Sequence, residues 1–335
     1  MVLRRLIPFA THHLRNRRSL ACQLQRTLQT GALQFTPKFS GRVAIHDIAR
    51  QIRKHSSGST AWIPDYICNV VPLALERAGF QLATYATDDF LEPDADQLVR
   101  IVTNPDCGLL LLSSIYGSSA GLDVLRSAAF RQRVQQHRVH ILVDICQDIT
   151  LRHLLPQDYG SHLSAALSFN HKSFPGAMGG GVLTAMELPD TAHRMGNAQA
   201  RTLYQRLAQH TAGSWRRRLI WRQRPHSCEV PAPEYANCRQ FPFEFTNYQL
   251  TRLQIIMALL GLRNLPRYYQ RRRRRLERLG HVHPMKHRSG SPLLVLQRLD
   301  KSAVHRIKPP YARHGAPRQS LRATLTVVHN NGFDD

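Results

Sequence analysis

Between residues 60 and 143, short apolar segments alternate with longer segments whose apolar residues recur at helical spacing. The apolar segments are 61–63, 80–85, 108–113 and 139–143, and the helical segments are 66–78, 94–102 and 123–136. Strands of about five residues separated by helices of about ten form βαβ units, which build a mostly parallel sheet covered on both faces. The sequence therefore predicts an α/β fold.

Two reactive side chains follow strands of this predicted sheet. Asp144 comes directly after the apolar run 139–143, and Lys172 follows the next predicted strand, 165–169. A glycine-rich stretch, 176–181, comes soon after the lysine. Because ligands of parallel sheets bind at the carboxyl ends of the strands, this order predicts a ligand site that includes both residues.

Lysine is rare in this chain, because only six of the 46 Lys and Arg residues are lysines. Lys172 is the only one between Lys54 and Lys286. Arginine can supply a surface charge, but it cannot replace an amine that must lose its proton and form an imine, because guanidinium stays protonated. Two plainer interpretations remain open: Lys172 as a solvated loop residue and Asp144 as a helix cap.

A lysine and a carboxylate are the pair that pyridoxal phosphate requires from a protein. The lysine forms a Schiff base with the cofactor, and a carboxylate on the pyridinium nitrogen keeps the ring able to accept electrons. The order of Asp144, Lys172 and the glycines along the chain suits this requirement.

The sequence also resembles a known family, the DegT-type sugar aminotransferases, within the fold-type I enzymes that depend on pyridoxal phosphate. The resemblance rests on five blocks, at 39–44, 63–68, 143–147, 168–172 with 179–181, and 246–248. The third block, Val-Asp-Ile-Cys-Gln, is similar to the family's Glu-Asp-Ala-Ala-Gln/His. The fourth, Ser-Phe-Asn-His-Lys followed by three glycines, is similar to its Ser-Phe…Lys…Gly-Gly. The resemblance implies a mostly parallel sheet flanked by helices, with a smaller C-terminal α/β domain.

This resemblance implies roles for four residues around the cofactor phosphate. Gly41 and Arg42 match the small-residue turn whose backbone amides hold the phosphate, and Ser168 matches a residue that contacts it. Asn247 matches an asparagine that reaches the phosphate of the neighbouring subunit. The last match implies a homodimer with shared active sites.

It implies four further roles around the cofactor ring. Lys172 is the Schiff-base lysine and the catalytic residue. Asp144 pairs with the ring nitrogen, Gln147 lies near the ring hydroxyl, and Cys68 lies over the ring.

The chain also departs from the family's pattern. Two residues separate the Ser-Phe pair from the lysine, where the family usually has three. Cys68 stands where larger aromatic or imidazole groups are common, so Tyr66 or His171 is an alternative partner for the ring. Gln249 stands where an arginine often follows the asparagine, and the C-terminal portion is short.

The implied activity is amino-group transfer, dependent on pyridoxal phosphate, from a small-molecule donor to a keto-sugar. The acceptor would be attached to a nucleotide, as is common in the family, or would be a related small keto compound. Two alternatives remain. One is an altered or inactive family member that acts as the partner of another protein, and the other is a basic nucleic-acid-binding protein.

The nucleic-acid alternative rests on charge, since the formal net charge is +24 and the pI is near 10.9. Residues 213–335 hold 24 basic and 7 acidic residues, whereas 47–190 hold 11 basic and 15 acidic ones. Five consecutive arginines, 271–275, would attract an anionic partner. No recognition fold accompanies this charge, and charge alone gives no reason for the ordered Asp144 and Lys172, so nucleic acid is not the expected partner.

The cysteine and apolar patterns predict the cellular location and the domain organisation of the protein. The six cysteines show no CxxC and no metal-like pairing with histidine, which predicts no disulfide framework, no metal site and a reducing cytoplasm. The first 46 residues hold eight basic residues and no acid, as transit peptides do, but lack the apolar core of a secretory signal. No apolar run approaches the ~18 residues of a membrane span. We expect a basic N-terminal segment (1–37) packed on the core, a cofactor-binding domain (38–210) and a smaller basic domain (211–335).

Overall fold

The computed structural model describes residues 17–68, 70–88, 92–114, 119–169, 179–189, 192–196, 245–278, 294–298, 311–313 and 325–329. The strands are β1 (Gln34–Lys38), β2 (Thr60–Pro64), β3 (Tyr66–Cys68), β4 (Gln81–Tyr85), β5 (Cys107–Ser113), β6 (His140–Asp144), β7 (Leu163–Ser168), β8 (Gly180–Thr184), β9 (Leu294–Arg298), β10 (Tyr311–Arg313) and β11 (Leu325–His329). The helices are α1 (Arg17–Leu28), α2 (Gly41–His55), α3 (Val70–Arg77), α4 (Ala95–Val102), α5 (Ala128–Gln136) and α6 (Arg252–Arg278). Short 3-10 turns cover Ala120–Arg126, Ile149–Leu154 and Gly160–His162.

A seven-stranded sheet organises these elements, in the order β1-β8-β7-β6-β5-β2-β4. The five strands from β7 to β4 are parallel, while β8 runs antiparallel to both β7 and β1. The predicted α/β fold with a mostly parallel sheet is therefore confirmed.

The sheet is covered on both faces, which explains why its central strands are almost entirely apolar. Along β5, Leu110 and Leu112 belong to one apolar cluster and Leu109 and Leu111 to another, because successive side chains point to opposite faces. Helices α1 and α6 contribute to the first cluster, and α2 and α3 contribute to the second. Burial on both faces is what makes a parallel strand a continuous apolar run.

Two predicted helices are divided in the structure. Segment 66–78 is a short strand, β3, followed by α3, because β3 pairs with β10 from the far end of the chain. Segment 123–136 divides into a 3-10 turn and α5, where the Ser127 side chain accepts a hydrogen bond from the Phe130 amide.

The apolar spacing of residues 248–262 predicts a helix that begins at Tyr248, but the observed helix, α6, begins at Arg252. There the Gln254 side chain accepts from the Thr251 amide, and the Gln254 amide donates to the Thr251 hydroxyl, which is a capping box. The apolar spacing of residues 191–209 also predicts a helix, but most of this segment lies outside the described residues, and residues 192–196 are not helical.

The C-terminal part of the chain contributes one helix to the apolar cluster on the sheet and two strands that form a separate pair. Helix α6 packs on α1 and places Ile255, Ile256 and Leu259 in the large apolar cluster, while β9 and β11 pair with each other. The boundary predicted at 210 lies outside the described residues, and the three predicted domains remain predictions. Within the ranges given above, no helix has the length and apolar character needed to cross a membrane.

A hydrogen-bonded polar chain crosses three strands near the amino edge of the parallel strands. His140 Nε2 lies 3.0 Å from Ser164 Oγ, and that hydroxyl donates to Thr184 Oγ1 over 2.7 Å. Burial, together with nearby His162, lowers the pKa of His140 to about 3, so its ring is neutral at neutral pH. The polar groups at this edge therefore satisfy one another without a ligand.

Candidate active site

The opposite, carboxyl edge of the sheet gathers polar residues at the ends of three neighbouring strands. Ser113, Asp144 and Ser168 are the last residues of β5, β6 and β7. Ser113 lies opposite Asp144 in the register of β5 and β6, and Asp144 lies opposite Ala166 of β7. Adjacent strands lie about 4.8 Å apart, so these side chains emerge within reach of one ligand.

Asp144 is a buried carboxylate at the centre of this edge, with 9% of its surface exposed. Its main-chain oxygen accepts hydrogen bonds from the Ser114 amide (2.9 Å) and hydroxyl (3.0 Å). Its Oδ1 accepts from the Cys146 amide over 2.9 Å. Burial raises the pKa of Asp144, and hydrogen bonds from Cys146 partly oppose that rise. No cation of the described chain forms an ion pair with it, so a bound cationic group would stabilise its charge.

The N-terminus of α2 lies at the same edge. Strand β1 ends at Lys38, which pairs with Gly180, and Gly180 pairs in turn with Ser168. The Ser40 side chain accepts a hydrogen bond from the Val43 amide and so begins the helix. Backbone amides and the helix dipole make such a terminus attractive to anions.

Gly41, the first residue of α2, allows the helix to approach β7 closely. A Cβ at Gly41 would lie 2.8 Å from Cys146 Sγ and 2.9 Å from Ser168 Cβ. A Cβ at Gly180 would lie 2.7 Å from the Gly41 nitrogen. The helix terminus, the end of β7 and the segment after Asp144 therefore meet only because glycines occupy both positions.

Cys146 belongs to this site, although the sequence pattern does not select it. Its thiol lies against Gly41, and it donates to the Ala166 carbonyl oxygen over 3.6 Å. Burial, the Asp144 carboxylate and the Cys68 thiol raise the pKa of Cys146 well above its usual value, which keeps it a neutral thiol. The local signal is its position two residues after an aspartate that ends a strand, where an Asx turn forms. Gln147, the next residue, is half-buried.

Segment 245–248 lies against the first turns of α2. Tyr248 packs edge-on against Phe39, with ring centroids 5.6 Å apart. The Arg42 guanidinium lies over the Phe245 ring at 5.9 Å, so it is the backbone of Arg42 that remains at the helix terminus.

Asn247 is buried in the same segment, with 6% of its surface exposed. Its backbone oxygen accepts from the His193 amide over 2.8 Å. Its side-chain oxygen Oδ1 is buried and has no hydrogen-bond partner in the described part of the chain. A buried acceptor without a donor lowers the free energy of unfolding, so a donor from a ligand or a second subunit would stabilise the protein.

The remaining residues predicted for the site are Cys68, Tyr66, His171 and Lys172. Cys68 ends β3, is half-buried and lies opposite Tyr311 of β10, while Tyr66 is buried. Lys172 and His171 lie outside the described residues. The strand ends on either side of them are joined, since the Phe169 amide donates to the Gly179 carbonyl oxygen over 2.8 Å.

Solved structures with the same fold include a 3-amino-5-hydroxybenzoic acid synthase, with a TM-score of 0.51 and 17% identity. Spr1654 from Streptococcus pneumoniae, assigned as a sugar aminotransferase, matches in its PMP form with a TM-score of 0.53 and 16% identity. Its PLP form matches with a TM-score of 0.52 and 17% identity. The fold is that of the fold-type I pyridoxal-phosphate-dependent transferases. No family model and no curated protein matches the sequence.

The fold-type I match covers most of this chain but less of its neighbours. It covers 83% of this chain and 66% of the synthase, and 84% of this chain and 69% of the Spr1654 PMP form. DesV from S. venezuelae is covered over 62% of its length. This chain thus spans about two thirds of the solved structures that it matches.

Replacing Gly41 with alanine tests the close approach at the fold-type I carboxyl edge. Alanine normally favours a helix over glycine, but the new Cβ would lie 2.8 Å from Cys146 Sγ, so we expect a loss of about 1–3 kcal/mol in the free energy of unfolding. Gly121→Ala is the matched control, because its Cβ would meet no atom closer than 3.6 Å. Urea unfolding measures both variants, and equal stability of the two would contradict the packing described.

Proposed function

We propose that this protein is an aminotransferase that uses pyridoxal phosphate to transfer an amino group from a small-molecule donor to a keto-sugar. The observation that carries the proposal is the buried Asp144 carboxylate, which lies beside a helix N-terminus without an ion-pair partner among the described residues. The fold supports the same activity, because its solved neighbours include PLP and PMP forms.

The described residues fit this cofactor at both of its charged ends. The backbone amides at the start of α2, with the Ser168 hydroxyl beside Gly41, suit a phosphate dianion. Asp144 suits a protonated pyridine nitrogen, because that cation would offset the cost of burying the carboxylate.

Pyridoxal phosphate supplies an electron sink for the carbanion formed when an amino donor loses its α-proton. Asp144 would sustain that sink by holding a positive charge at the ring nitrogen. Lys172 would hold the cofactor, and as a free amine it would move the α-proton.

The keto substrate is proposed from the resemblance and from charge. The chain carries a formal charge of +24, which is compatible with an acceptor that bears a nucleotide diphosphate. Spr1654 is assigned as a sugar aminotransferase, and the other neighbour makes an aminobenzoic acid. A sugar acceptor and a cyclic keto compound are therefore the first acceptors to test.

Lys172→Ala and Asp144→Asn test the activity. Protein loaded with pyridoxal phosphate should absorb in the visible, and the band should be lost when an amino donor such as glutamate is added. Lys172→Ala should abolish the donor-dependent change, because no amine remains to hold the cofactor or move the proton. Asp144→Asn should slow it at least about 100-fold, because the neutral amide no longer keeps the ring nitrogen protonated.

Lys54→Ala is the control, since Lys54 is an exposed lysine near the end of α2. It should behave as the wild type does. If the wild-type protein binds no cofactor, the aminotransferase proposal fails and an inactive descendant of the fold takes its place. Wild-type cofactor binding without any response to a range of donors would support an altered activity.

We further propose a homodimer in which Asn247 of one subunit completes the site of the other. The resemblance supports it, and so does the unpaired Asn247 side-chain oxygen, which a second subunit or its ligand could satisfy. The free cysteines of the described residues suit a reducing compartment, and we propose the cytoplasm, which localisation of the tagged chain would test.

Mixed dimers test the shared site. In the proposed dimer, each site contains Lys172 of one subunit and Asn247 of the other. A mixed dimer of one Lys172→Ala subunit and one Asn247→Ala subunit would therefore contain one intact site and one site with both defects. Random re-association of equal amounts should then recover about a quarter of wild-type activity. Re-association of Lys172→Ala with itself is the control. Failure of the mixture to exceed the sum of its parents would assign Asn247 to the site of its own chain.

A further inference from the structure

A pocket lies on the face of the sheet opposite to α2. It opens between α1, the 3-10 turn Ile149–Leu154 and α6, and its volume is about 570 Å³. Helices α1 and α6 pack on the apolar cluster that contains Leu110 and Leu112, whereas α2 packs on the cluster of the opposite face. The pocket is therefore separate from the proposed cofactor site.

One wall of the pocket is apolar. It consists of Leu259, Leu262, Leu265 and Pro266, all from α6. The volume falls within the ~300–1,000 Å³ of pockets that hold small molecules, which are lined mainly by apolar side chains with a few polar groups. This wall suits the apolar body of a small ligand.

The rest of the lining is cationic or neutral. Arg152, His153 and Arg263 contribute basic groups, and Thr27 and Thr150 contribute hydroxyls. No aspartate or glutamate is among the described residues that line the pocket. The pocket therefore favours a negatively charged ligand.

Arg152 is the half-buried cation of this set. Its Nη1 donates to the Ile149 carbonyl oxygen over 2.9 Å, while its Nε is buried and has no hydrogen-bond partner among the described residues. Burial lowers the pKa of Arg152, which is partly opposed by nearby Tyr269 and Asp148. A guanidinium N–H that has lost water without gaining an acceptor is stabilised by an anionic oxygen.

Asp148 lies close enough to Arg152 to oppose the fall in its pKa, and its carboxylate also organises the pocket lining. Its Oδ1 accepts from the Thr150 amide (2.9 Å) and hydroxyl (2.6 Å) and from the Tyr269 hydroxyl (3.0 Å). Asp148 is fully buried. These bonds fix Thr150 and Tyr269, two lining residues from different elements, and so give the pocket a defined shape.

We propose that this pocket binds a small organic anion, in which a carboxylate, sulfonate or phosphate is carried on an aryl or acyl body. The anionic group lies between Arg152 and Arg263, and the apolar body lies against the leucines of α6. Nothing in the proposed aminotransferase activity requires this ligand, so the two proposals stand or fall separately.

A pair of fluorescent probes tests the pocket. 1-Anilinonaphthalene-8-sulfonate carries an anionic group on an aryl body, and N-phenyl-1-naphthylamine has the same body without the charge. The full-length protein should bind the sulfonate at one saturable site. The neutral probe should bind at least about tenfold more weakly, because it lacks the charge-assisted hydrogen bonds to arginine.

Arg263→Gln and Arg152→Gln locate that site. Each should weaken binding of the sulfonate about tenfold or more, because each removes a charged donor. Arg267→Gln is the matched control, since Arg267 is also exposed on α6 but does not line the pocket. Thermal unfolding of each variant checks the fold, and Arg263 is exposed, so its replacement should leave the fold intact.

Three results would overturn the proposal. Equal affinity for the charged and neutral probes would mean that charge plays no part. Equal weakening by Arg263→Gln and Arg267→Gln would mean that the probe reports only the basic surface of α6. Unchanged binding after Thr27→Trp, which places an indole at the mouth of the pocket, would place the probe elsewhere.

Discussion

The in-register pairing of β5, β6 and β7 is the constraint on which the candidate site depends. These strands are buried on both faces, and a shift of one residue would turn every side chain to the opposite face. Their register therefore fixes the edge at which Ser113, Asp144 and Ser168 emerge. The buried carboxylate of Asp144 has a defined place because the apolar strands around it have no alternative packing.

Close backbone contacts add the second half of the site. Gly41 and Gly180 let the N-terminus of α2 lie directly on the ends of β7 and β8. An anion at that terminus and a cation at Asp144 would then lie side by side at one edge. The site is therefore suited to a ligand with two opposite charges a short distance apart, and pyridoxal phosphate with a protonated ring nitrogen is such a ligand.

Much of this arrangement could be predicted from local sequence pattern. The apolar run before Asp144 and the strand that ends at Ser168 are local signals. Because ligands of parallel sheets bind at the carboxyl ends of the strands, these signals predict a site at the carboxyl edge. Cys146 could not be found this way, because its role comes from contact with Gly41, more than a hundred residues earlier. Pairing of Cys68 with Tyr311 depends on an even longer separation, which periodicity does not encode.

The start of α6 differs from the start that apolar spacing predicts. Apolar spacing extends back to Tyr248, but the capping box of Thr251 and Gln254 begins the helix at Arg252, and Tyr248 packs on Phe39 instead. The Thr-x-x-Gln pattern was present in the sequence as a local signal. Chemical capping outweighed apolar periodicity at this position.

The proposed function depends on which lysine holds the cofactor. Lys38 lies at the carboxyl edge, but it is 2% exposed and its Nζ lies 2.8 Å from Asp47 Oδ2, so it is held as one partner of an ion pair. Borohydride reduction of the protein loaded with pyridoxal phosphate, followed by peptide mass spectrometry, identifies the modified lysine. We expect a single modification at Lys172. Modification at Lys38, or a spread over several lysines with Lys172 unmodified, would contradict the proposed role of Lys172.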